Sequence, residues 1–176
     1  MAAKAKGQKG PAASDHVDRL RSQWARELPD IDTEPMGILG RASRLTNLFR
    51  PSLEATFARF GLDRGEFDVI ATLRRSGSPY RLTPTQMYTS LMISSGGLTH
   101  RLDRLEKAGL IRREKSPEDG RSMLVALTDA GISRVEEACR AHVANGAAFL
   151  GALDAKERSL LADLLRKLLV GIEDNA

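Results

Sequence analysis

The chain has 176 residues, 41% of them hydrophobic, with a formal charge of +4 and an isoelectric point of about 9.5. That length suits one domain with a real core, and no apolar run reaches membrane-spanning length. The single cysteine, Cys139, excludes an internal disulfide and a zinc cluster, the histidines (His16, His100, His142) are scattered, and the mild basicity favours a polyanionic partner in a reducing cytoplasm.

Residues 1–13 are rich in Ala, Gly and Lys and are expected to form a disordered basic tail. A first helix is expected from Ser14 to Leu28, with Val17, Leu20, Trp24 and Leu28 at helical spacing, ended by Pro29. A longer helix follows from Thr33 to Gly61, with Pro35 in its first turn and Pro51 inside, where a kink or a reset is expected. Asp63 and Glu66 have capping-box spacing and open a third helix to Arg75.

Thr83, Pro84 and Gln86 supply an N-cap, an N1 proline and a capping-box partner for a short helix ending near Leu91. Ser94 is the expected cap of the next helix, which runs to Ala108 and stops at Gly109. Leu98, Leu102, Leu105 and Ala108 form its inward face. Leu110–Lys115 and Ser122–Leu127 read as two strands around a charged tip; Met123, Val125 and Leu127 alternate as a half-buried strand does. Thr128 caps a long helix to Leu150, and Asp154 with Glu157 opens a last, leucine-rich helix.

A short helix, a turn, a basic helix and a charged hairpin, in that order, make a winged helix-turn-helix. The expected fold is therefore mainly α with a small β wing. The winged lobe covers about 62–128, and terminal helices, about 33–60 and 129–172, form a dimerisation region; residues 14–31 add an extra N-terminal helix. The surplus apolar stripes of the first and last helices favour a homodimer.

The reading helix offers Ser94, Ser95, Gly96, Thr99, His100 and Arg104 to double-stranded DNA. Small residues at a helix N-terminus let the backbone approach a phosphate. The wing adds Arg112, Arg113, Asp119 and Arg121; Arg121 at the tip suits a narrow minor groove, and Asp119 can hold a neighbouring arginine in place.

These residues resemble the multiple-antibiotic-resistance regulator (MarR) family. The matching segments are LTPTQM, MISSGGLTHRLDRLEKAGLIRRE and EDGRSMLVALTDAG, with the D-x-R of Asp119 and Arg121 the most specific part. The resemblance implies a homodimer with two winged lobes on a palindromic operator, most often a repressor relieved by a small molecule.

A narrower resemblance is to the urate-responsive branch, which has a helix before the dimerisation helix. Its ligand signature falls here on Trp24, Asp68, Arg75 and Arg101. The branch implies that Arg75 and Trp24 hold an anionic ligand such as urate or another purine. The ligand's charge displaces Asp68, and Arg101 passes the movement to the reading helix. Asp68 and Arg75 are seven residues apart and share one helix face, and an arginine fork suits a planar anion.

The alternatives are a redox sensor using Cys139 and a ligand-independent regulator. Cys139, among Val135, Ala138 and Val143, reads first as a small buried core residue. No nucleophile stands beside a base at useful spacing and no phosphate loop is present, so neither an enzyme nor a cofactor is expected. A site at the bacterial nucleoid is the expected location.

Overall fold

The computed structural model describes residues 14–91, 97–117, 119 and 122–175. The expectations on residues 1–13 and on Ser94, Ser95, Gly96 and Arg121 lie outside them. The chain divides into two units, Met1–Arg50 and Pro51–Ala176.

In the first unit, α1 (His16–Glu27) opens on a capping box between Asp15 and Asp18. Both carboxylates also hold Arg41, at 2.8 and 2.6 Å. The hydrogen bond from Arg41 keeps the Asp18 carboxyl below its ordinary pKa. Val17 is the buried residue of α1, while Leu20, Trp24 and Leu28 on the same stripe stay largely exposed. The second helix, α2 (Glu34–Ala58), runs through Pro51 without being reset there, and the division between the two units falls at that proline.

The second unit continues with α3 (Arg64–Arg75), β1 (Arg81–Leu82), α4 (Pro84–Ser90), α5 (Leu98–Lys107), β2 (Ile111–Lys115), β3 (Met123–Leu127), α6 (Asp129–Phe149) and α7 (Ala155–Glu173). The protein is mainly helical with one small antiparallel sheet, as expected, and the helix and strand order is that of a winged helix-turn-helix. The reciprocal boxes at Asp63 and Glu66, Thr83 and Gln86, and Asp154 and Glu157 form as their spacing predicts. Each satisfies amide groups that a helix start otherwise leaves unpaired.

The sheet corrects the sequence reading in two ways. It has a third strand, β1, paired with β3 at Arg81↔Ala126 and Leu82↔Val125. Two residues are too few to show a period. Leu124, Val125, Ala126 and Leu127 of β3 are all buried rather than alternating, because α3, α4 and α6 pack against the strand, and Met123 at its start is exposed. On α5, Leu98, Leu102 and Leu105 are buried as expected, whereas Ala108 is the exposed C-cap. These side chains join Ile70, Leu73, Met87, Ile111 and Val125 in the core of the lobe.

No residue of α7 is buried. Leu160, Leu164, Leu165, Leu168, Leu169 and Ile172 all stand exposed, as do Val143 and Phe149 on α6.

Candidate nucleic-acid interface and ligand cleft

Helix α5 begins at Leu98, with Gly97 as its N-cap at φ 78°, a left-handed conformation that only glycine adopts without strain. The expected cap, Ser94, lies three residues earlier and outside the described residues. Thr99 and His100 are exposed in the first turn, on the side away from the buried leucines.

The wing is tied to this helix. Arg113 Nη2 lies 2.6 Å from Asp103 Oδ1, and its Nη1 lies 2.9 Å from Glu106 Oε2. Arg112 donates to Glu114 at 3.0 Å and to the Leu127 carbonyl at 3.0 Å. Arg104 Nε lies 2.8 Å from Glu66 Oε1. Each expected DNA-facing arginine among the described residues of α5 and the wing is thus held by a carboxylate of its own lobe. A guanidinium has five N–H donors, so each keeps donors to spare. Lys107 and Lys115 are exposed and supply positive charge on the same elements. At the tip, Asp119 accepts the Ser122 hydroxyl at 2.7 Å, and its N–H donates to Ser116 Oγ at 3.3 Å, which closes the hairpin turn.

A cleft of about 670 Å³ opens between α3 and α6, with Leu53 and Phe57 of α2 at its floor. Its volume falls in the range of small-molecule sites, about 300–1,000 Å³. Asp68 and Arg75, the helix-face pair expected from the sequence, both line it. The aromatic floor is a stack of Phe57 on Phe67, with ring centroids 4.2 Å apart, and His142 stands beside both rings. Asp68 is only 6% exposed. Arg75 Nη2 donates to Thr72 Oγ1 at 2.9 Å and to the Ser90 carbonyl at 3.3 Å, so one guanidinium links the cleft to the end of α4.

Sequence reasoning missed several groups of this cleft: Arg64, Arg74, Glu136, Arg140 and His142. The residues of α3 that line it, from Arg64 through Asp68 to Arg75, recur at helical spacing. Which helix would face them was not readable without the fold. Arg74 Nη2 sits 2.9 Å from Glu136 Oε1 and over the Tyr80 ring at 4.6 Å. That hydrogen bond holds the Glu136 carboxyl below its ordinary pKa, and burial pushes the His142 imidazole down. Cys139 also lines the cleft and is exposed, against the expectation of a core residue. The buried face of α6 runs through Gly131, Val135 and Ala138, and Cys139 stands at its edge.

Of the other two residues of the expected ligand set, Arg101 shares this unit but does not line the cleft, and Trp24 belongs to the first unit. The Arg101 guanidinium occupies the space that a Cβ on Gly65 would fill, over the first turn of α3. Trp24 is 43% exposed and lines a cleft of about 640 Å³ between α1 and α2. Arg21, Arg44, Leu20, Met36 and Leu39 also line that cleft. Among the described residues no cluster of metal-ligating side chains forms, and no helix is long and apolar enough to cross a membrane.

Residues 60–122 match the family model described as MarR family. The chain is 40% identical, over 152 residues, to the HTH-type transcriptional regulator PecS of Dickeya dadantii, covering 86% of this chain and 92% of that protein. Among solved structures it is similar to a cysteine-to-serine mutant of MarR from E. coli complexed with operator DNA, at 25% identity and a TM-score of 0.64, over 83% of this chain and 97% of that one. It is also similar to Bordetella bronchiseptica BpsR, whose DNA binding is regulated by 6-hydroxynicotinic acid, at 25% identity and a TM-score of 0.65, over 78% of this chain and 95% of that one.

Proposed function

The chain belongs to the MarR family and is a DNA-binding transcriptional regulator; from that premise we propose that it is a homodimeric repressor released from its operator by a small aromatic anion such as urate. The observation that carries the ligand reading is that Asp68 and Arg75 line one cleft floored by the Phe57–Phe67 stack. Aromatic rings provide an apolar bed for a planar molecule, and the arginine fork favours its charge. The buried Asp68 carboxylate disfavours an anion beside it, so ligand binding and the position of Asp68 are linked.

On this reading the reading helix enters the major groove through Thr99 and His100, with Ser94, Ser95 and Gly96 before them. Arg112, Arg113, Asp119 and Arg121 serve the wing, and Arg101 carries cleft movement to α5. The proposed dimerisation helices are α2, α6 and α7; the exposed leucines of α7 support a second copy as the partner that buries them. Release requires the ligand to bind the DNA-incompetent arrangement more tightly, because equal affinity shifts nothing.

The test is DNA binding on the fragment upstream of the chain's own gene, with urate titrated in. Release by urate and not by an uncharged purine is the expected result. DNA binding that persists at millimolar urate overturns the urate assignment. Release by a hydroxylated aromatic acid instead would keep the anion reading and change the ligand.

A further inference from the structure

The first turn of α3 does two jobs at once. Asp63 and Glu66 form its capping box, with both reciprocal bonds at 2.8 Å. The remaining oxygen of each carboxylate turns to one side chain of α5. Arg104 Nε lies 2.8 Å from Glu66 Oε1, and Arg104 Nη1 lies 3.6 Å from Asp63 Oδ2. One turn before Arg104, Arg101 fills the space above Gly65. Two arginines of the reading helix therefore clasp the residues that open α3. The same turn presents Arg64 to the cleft, and Asp68 follows one turn on.

The choice of residue at position 66 points the same way. A glutamine completes a capping box, as Gln86 does for α4. A glutamate adds only charge, and this one is 3% exposed. A buried carboxylate is costly unless a cation and hydrogen bonds compensate it. Arg104 supplies the cation, and the Asp63 amide supplies the second bond.

We infer that Arg104 is a positioning residue: it acts through the Asp63 and Glu66 carboxylates to set how α5 lies on α3, rather than as a phosphate contact. The inference rests on the DNA-regulator reading for its consequence, and on the ion pair alone for its mechanics.

The test compares wild type with Glu66→Gln, Arg104→Gln and the double variant in the full chain. Glu66→Gln keeps the capping box and removes only the charge. Two quantities are read: hydrogen exchange of the α5 amides in the free protein, and affinity for the upstream DNA fragment across a range of salt. Each single variant is expected to speed α5 exchange and to weaken DNA binding by roughly ten-fold, within the span seen for coupled networks. The double variant should be no worse than either single one, and the salt slope should stay unchanged.

Two results overturn the inference. In one, Glu66→Gln leaves exchange and affinity at the wild-type level while Arg104→Gln lowers the salt slope by about one, as loss of a phosphate contact does. In the other, both variants lose thermal stability but, fully folded at the assay temperature, bind DNA as wild type does. If the wild-type protein ignores the fragment, the operator reading fails, and the exchange measurement still decides whether Glu66 holds α5 through Arg104.

Discussion

Arg113 on β2 lies 2.6 Å from Asp103 on α5, with Glu106 holding the same guanidinium 2.9 Å away. The wing and the reading helix are joined by one side chain, so the hairpin cannot swing without breaking charged hydrogen bonds. These groups are about one-third to one-half exposed, which limits the network to about 1 kcal/mol. Arg113→Ala should lower the melting temperature by about 2–4 °C, read by calorimetry, and weaken DNA binding. An unchanged melting point would mean that the tie does not operate in solution.

Arg75 touches Thr72 and the Ser90 carbonyl while lining the cleft. Arg75→Ala should weaken the response to urate by about ten-fold or more, a loss of roughly 1.4 kcal/mol, while the DNA affinity without ligand stays within about three-fold. Anisotropy titrations with and without urate measure both. Loss of DNA binding without ligand in this variant would make Arg75 structural.

Cys139 is exposed and lines the same cleft. A small alkylating reagent should modify it in the native protein, and a ligand seated in the cleft should slow that reaction. Mass spectrometry of the modified peptide follows the rate. A rate indifferent to a ligand that releases DNA would place that ligand outside this cleft. Peroxide-insensitive DNA binding of wild type and Cys139→Ser alike is expected, since no second cysteine exists to resolve a sulfenic acid as an internal disulfide.

Leu164 and Leu168 stand exposed one turn apart on α7. Burial of a leucine is worth about 1.5–3 kcal/mol, so a glutamate at either position opposes association strongly. The variant carrying Leu164→Glu and Leu168→Glu should sediment as a monomer and lose most of its operator affinity. A dimer that survives both changes would show that another face associates.

His142 has its pKa lowered by burial. Protonation then favours the unfolded chain, so stability is full above the unfolded value of about 6.5 and falls as the pH drops through the lower folded value. Urea midpoints measured from about pH 8 to about pH 5 should fall toward acid in wild type. His142→Gln should remove part of that slope; curves of identical shape would show that carboxylates alone account for it.

Much of the architecture was legible because helix starts are local chemistry. Asp63 with Glu66, Thr83 with Gln86 and Asp154 with Glu157 sit three residues apart, and each pair closes its box within one turn. Strand β1 was not legible, because two residues carry no period and their pairing partner lies more than forty residues away. The burial of successive residues of β3 was not legible either, because it depends on α3, α4 and α6 packing against it. Half of the cleft was visible on α3 as Asp68 and Arg75. The α6 half, with Glu136, Cys139 and His142, was not, because two helices that pack together need share no sequence pattern.

The amino-acid sequence by itself determined the order of the helices and the wing, the capping boxes of α3, α4 and α7, the inward leucines of α5 and the family, all of which rest on neighbours along the chain. Only the tertiary structure decided what each charge meets. Arg104, Arg112 and Arg113 read alike in sequence as DNA-facing cations, yet Arg104 and Arg113 are held by Glu66 and Asp103, carboxylates that packing brings to them, whereas Arg112 meets Glu114 two residues along its own strand. A cation's role depends on which opposite charge lies within a few ångströms, and across helices that distance is set by the fold.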